Sequence, residues 1–139
     1  MTEHEQFAKF IDRTYDETFQ LLVEAKAYNT LDWKEDARGL PEQETLRVTG
    51  EKMRMTARLS EVMAWLMVHK AVAKGEMTPN QAQSGAFHLT EKKVCLADGR
   101  AGGAFFSTRL NQMLDRSFDL YDRVCKMDRM AIRLFAKSS

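Results

Sequence analysis

Asp115, Asp119 and Asp122 recur at spacings of four and three, which on a helix puts three carboxylates on one face, as acid–base chemistry by paired carboxylates requires. Arg116, Arg123 and Lys126 lie within a turn of them, so the array reads as a solvated face of weak ion pairs. His4, His69 and His88 have no Cys or carboxylate at ligand spacing, and no Glu-x-x-His pair occurs that could build a di-iron bundle site. Cys95 and Cys125 form no metal or redox spacing, and Cys125 follows Tyr121 by one turn in an apolar stripe, which predicts a buried structural thiol. No glycine-rich phosphate loop or Ser-His-Asp set is recognisable. These residues predict no catalysis, no metal and no cofactor.

The elements that carry these residues are long helices. Nine Met and eight Phe against two Pro and seven Gly favour uninterrupted helix. Phe7, Phe10, Ile11, Tyr15, Phe19, Leu22, Ala25 and Tyr28 recur at threes and fours and predict a helix over 3–28. Residues 29–40 lose the period and carry Asn29, Asp32, Asp36 and Gly39, which predicts a loop. Pro41 suits a first helical position, and a second helix is expected from Pro41 to Lys74, ended by Gly75. Thr78, Pro79 and Gln81 form a capping box for a short helix to about Ser84. Residues 85–103 are mixed, with H-L-T-E-K-K-V-C-L suggesting an extended piece and G-R-A-G-G a flexible one. A third helix over 104–135 has a seam of Phe106, Leu110, Met113, Ser117, Leu120, Val124, Met127, Ala131 and Leu134. The expected fold is all-α: one domain over 1–139, an elongated antiparallel three-helix bundle with a short extra helix after the second.

On a helical wheel the second helix has a bulky stripe of Val48, Met55, Leu59, Val62, Leu66 and Ala73, and beside it a smaller-residue stripe of Leu46, Thr49, Met53, Thr56, Ser60, Met63, Met67 and Ala71. Both are expected to be core. The remaining face holds Arg47, Glu51, Arg54, Arg58 and Glu61, then Trp65, Val68, His69 and Val72. The run Val62 to Val68 is apolar in every direction around the axis, more than one layer of neighbours covers. Two readings stand: residues 85–103 fold over Trp65, or Arg54, Arg58, Glu61, Trp65, Val68, His69 and Val72 form a partner or homodimer surface anchored by Trp65 and Arg58, residue types enriched at binding hot spots. The Asp115, Asp119 and Arg123 face is the next candidate.

The 21 basic and 20 acidic side chains leave a formal charge of +1, which gives no net field for a polyanion. The longest apolar run is far below the ~20 residues that cross a bilayer. The amino terminus lacks a basic, apolar signal, so a cytoplasmic protein with reduced thiols is expected. The rival class is a helix-turn-helix DNA-binding regulator, since Lys74 to Gln83 looks like such a junction and Arg47, Arg54 and Arg58 could meet phosphates. The helix after Pro79 is short for reading a major groove.

The run E-K-M-R-M-T-A-R-L-S-E-V-M-A-W-L-M-V-H-K-A-V-A-K-G-E-M-T-P-N-Q-A, Glu51 to Ala82, closely resembles the central signature of the RcdA family, regulators of CtrA degradation. R-S-F-D-L-Y-D-R-V-C-K-M-D, Arg116 to Asp128, is similar to that family's third-helix pattern. The likeness covers most of the chain from Tyr15 onward. It implies a three-helix, dimeric, non-enzymatic bacterial cell-cycle adaptor that helps deliver substrates to the ClpXP protease, acting with partners such as the response regulator CpdR and the effector PopA.

Overall fold

The computed structural model describes residues 2–84 and 106–136. Helix α1, Glu3–Ala27, is opened by a reciprocal cap: the Thr2 hydroxyl accepts from the Glu5 N–H at 3.1 Å and the Glu5 carboxylate accepts from the Thr2 N–H at 3.2 Å. The chain then departs from the expected loop. A π-helical turn, Tyr28–Asp32, leads directly into α2, Trp33–Ala37. The reason is tertiary: the buried Tyr28 phenol donates to Asp36 at 2.6 Å, and the Lys52 ammonium sits 3.6 Å from the centre of the Trp33 ring. Gly39, at φ 78°, provides the left-handed turn after this helical stretch.

Helix α3, Glu42–Ala73, has Pro41 as its cap rather than as its first residue. Its end is a Schellman motif, with Gly75 at φ 76°, the Glu76 N–H donating to the Ala71 carbonyl at 2.9 Å and the Gly75 N–H to that of Val72 at 3.0 Å. The capping box of α4, Pro79–Ala82, forms as expected, although the helix stops short of Ser84. Helix α5, Thr108–Ala136, starts beyond the expected residue 104, where the Ser107 hydroxyl accepts from the Leu110 N–H at 3.1 Å. The 85–103 stretch expected to be mixed lies outside the described residues, as do His88 and Cys95 within it.

Each long helix turns a heptad-spaced stripe inward. Phe7, Ile11, Thr14, Thr18, Leu21, Ala25 and Tyr28 are the buried residues of α1 and its π turn. They meet Val48, Met55, Leu59, Val62 and Leu66 of α3 and Leu110, Met113, Leu120, Val124 and Ala131 of α5. The bundle is all-α, and its directions are set by cross-links. Glu17 with Arg123 at 2.8 Å, Glu24 with Arg116, and Asp32 with Arg109 run α1 antiparallel to α5. Lys70 with Asp12 runs it antiparallel to α3. Arg58 with Ser117 and Trp65 with Asp128 make α3 and α5 parallel to each other, where the expected antiparallel bundle sets consecutive long helices antiparallel.

Leu59 and Leu66 are fully buried, so truncating either to Ala should destabilise the fold by roughly 2–5 kcal/mol. Lys126, exposed and paired only with Asp122 one turn away, should tolerate Ala within about 0.5 kcal/mol. Chemical denaturation midpoints measure both; equal midpoints contradict this core.

Candidate protein-interaction surface

The face expected to meet a partner divides in two. Arg58, Trp65 and His69 are interior, at 0%, 2% and 3% exposure, which corrects the expectation that they project outward. The indole N–H of Trp65 donates to Asp128 Oδ1 at 2.8 Å. The Arg58 guanidinium lies 3.9 Å from the centre of the Phe118 ring, and its Nε donates to the Ser117 hydroxyl at 3.1 Å. His69 packs between Trp65, 4.1 Å away, and Phe135, 5.9 Å away, with Phe7 edge-on. The cover over Trp65 therefore includes α1 and α5. Glu61 is half-buried and accepts from the Tyr121 hydroxyl at 3.0 Å. Arg54, paired with Glu51 at 2.8 Å, and Val68 and Val72 are also half-buried.

The expectation inverts on the other side. The smaller-residue stripe assigned to the core points to solvent: Leu46, Met53 and Met67 are 68%, 69% and 58% exposed, and Thr56 and Ser60 are exposed too. A wheel separates faces but cannot tell which apolar one has neighbours. The missed signal lies in α5, where Ser117 and Asp128 interrupt an apolar seam at the levels where Arg58 and Trp65 interrupt that of α3. Polar breaks in two buried seams are satisfied by each other.

Asp115, Asp119 and Asp122 are exposed on α5, with Asp122 bonded to Lys126 at 3.0 Å. Cys125 is buried. Among the described residues no group of three or more His, Cys, Asp or Glu side chains is placed to hold a metal ion, and no helix is long and apolar enough to cross a membrane. At the π turn, burial and the hydrogen bond to Asp36 push the Tyr28 phenol up to about 12, while burial lowers the Lys52 ammonium. A cavity of about 590 Å³ opens where the amino end of α1 meets the carboxy ends of α3 and α5, walled by Phe7, Ile11, Val72, Met77 and Phe135 with His4 at its rim.

These features define an all-α three-helix bundle whose buried polar groups serve packing and whose α3 turns Leu46, Met53 and Met67 outward. The chain belongs to the DUF1465 family, described as proteins of unknown function, whose model matches residues 2–139. Among solved structures it is similar to RcdA from Caulobacter crescentus CB15, at 34% identity and a TM-score of 0.70 over 87% of this chain and 89% of that one. No curated protein sequence matches it.

Trp65→Ala should lower the stability of the monomer by roughly 3–5 kcal/mol, because it empties a core site and removes the indole N–H that donates to Asp128. Circular dichroism during urea unfolding measures this, and an unchanged midpoint refutes the structural role. The second expectation concerns alkaline pH. A phenol whose folded pKa of about 12 exceeds its ordinary 10.0 contributes stability that is whole below pH 10 and is lost as pH rises toward 12. Lys52 acts with the opposite sign, its desolvation cost fading as the ammonium deprotonates. Tyr28→Phe should therefore flatten the fall in stability between pH 10 and 12, by on the order of 1–2 kcal/mol; a slope identical to wild type refutes the assignment.

Proposed function

We propose that this chain is a non-enzymatic adaptor of regulated proteolysis, cytoplasmic and homodimeric, that helps deliver substrate proteins to the ClpXP protease. By likeness to RcdA, its partners are ClpXP, a CpdR-like response regulator, a PopA-like effector and the delivered substrates. The observation that carries this reading is the 34% identity to RcdA sustained over 87% of the chain with a TM-score of 0.70. The architecture fits it. Arg58, Glu61 and His69, polar groups that sequence alone offers for direct contact, are packed into or against the bundle. What remains outward is a rigid helical surface, which suits recognition of proteins.

Trp65 and Arg58 are enclosed by their own chain and stand behind the contact surface rather than in it. Arg54, Glu61, Val68 and Val72 stay within reach of a partner, as the rim of the outer face of α3. The DNA-binding reading finds no support in α4, since a helix of four residues is too short to lie along a major groove.

The test is degradation of a native substrate by purified ClpXP with its response regulator, with and without this chain. Faster degradation, together with retention of ClpX or the regulator on the immobilised chain, is the expected result. Absence of both refutes the adaptor reading.

A further inference from the structure

Between Glu42 and Lys74 the outer side of α3 presents an arc of about 140° on which no charged residue stands, over about 38 Å of helix. For a chain that is 29% charged this is an unusual surface. It has a definite relief. Leu46, Met53, Ser60 and Met67 form one row at intervals of seven, and the first two and the last are among the most exposed apolar side chains described. Gly50, Ala57, Ala64 and Ala71 form a second row beside it, again at intervals of seven. Such rows run almost parallel to the helix axis. Gly50 costs the helix about 1 kcal/mol relative to alanine; a Cβ there would come within 3.2 Å of the Arg54 guanidinium, and its absence also leaves this row low. Phe19 of α1, 54% exposed, adjoins this side through Tyr15, on which it stacks and over whose ring the Lys70 ammonium lies.

We infer that this face docks the same face of a second copy of the chain, with the two α3 helices antiparallel. The inference rests on the homodimer reading above and assigns its surface and register. One antiparallel register brings Leu46 level with Ala71 of the partner, Met53 with Ala64, Ser60 with Ala57 and Met67 with Gly50. Every layer then holds one larger and one small side chain, so the helices approach closely without either bulky row meeting itself. The ends of the face agree with this register. Glu42 of each copy comes level, within one residue, with Lys74 of the other, and both are exposed. A parallel pair would instead set Met53 on Met53, Ala64 on Ala64 and Glu42 on Glu42. The interface is isologous, as a closed twofold dimer requires.

The test compares the full chain with Ala64→Arg by light scattering and analytical ultracentrifugation. Ala64 is exposed and the substitution keeps a good helix former, so the monomer fold should persist, as circular dichroism will show. The expected result is a wild-type dimer and a variant whose dimer dissociation constant rises at least tenfold, about 1.4 kcal/mol. The register is read separately in a Cys95→Ser background: Met53→Cys and Ala64→Cys chains, mixed and oxidised, should form the mixed disulfide in preference to either like pair. A wild-type dimer that Ala64→Arg leaves intact overturns the assigned face while the homodimer reading stands. Preferential like-with-like cross-linking overturns the antiparallel register. A wild-type monomer at high concentration overturns the inference and the homodimer reading together. Should Ala64→Arg fail to fold, Met53→Gln/Met67→Gln tests the same face, with the same outcomes.

Discussion

The Trp65–Asp128 hydrogen bond, with Arg58 on Ser117 and Phe118 two turns away, is the constraint on which the rest of the bundle depends. Helices α3 and α5 lie parallel, so their dipoles align and give no help to their packing. Apolar side chains at threes and fours leave the register loose, because a slip of one turn trades one Leu or Met contact for another. Polar groups remove that freedom. A slipped pair would bury the indole N–H, the Asp128 carboxylate and the Arg58 guanidinium without these partners, at about 1–3 kcal/mol for each unsatisfied group and more for the charged ones. In this bundle we read the buried polar residues as devices of register rather than of stability, a role attested for single polar residues in coiled coils.

Helix α1 completes the arrangement by running opposite to both. Its dipole opposes the parallel pair, and the pairs Glu17–Arg123, Glu24–Arg116 and Asp32–Arg109 follow one another at intervals of about a heptad along its contact with α5. These pairs are exposed and individually weak. Their value is positional, since a shift of one turn would lose all three. The π turn at Tyr28–Asp32 belongs to the same logic, as the wide turn accompanies the Tyr28 ring in the core, its hydroxyl bonded to Asp36.

A three-helix bundle gives each helix two neighbours and leaves its far side open. On α1 and α5 that side is largely charged, whereas on α3 it is Met, Thr, Ser, Ala and Gly. The chain thus hardens its inside with polar pairs and places its softest, most adaptable surface outside, on a helix held rigidly from behind.

The sequence by itself determined the helices and their punctuation. Periodicity located the three long helices, and local chemistry placed the cap at Thr78 and the stop at Gly75, because caps and turns are settled within a few residues. It also determined the resemblance, carried by the run from Glu51 to Ala82. Tertiary structure alone decided which side of α3 is inside. Arg58, Trp65 and His69 read as outward because charge and polarity ordinarily mark solvent, yet their partners Ser117, Asp128 and Phe135 stand some sixty residues away along the chain. The stretch after Tyr28 read as a loop for the same reason: its helical form rests on Lys52 and Ser107, which no local pattern announces. Spacing within a helix specifies a face, but only the neighbours that fold against it specify whether that face is buried.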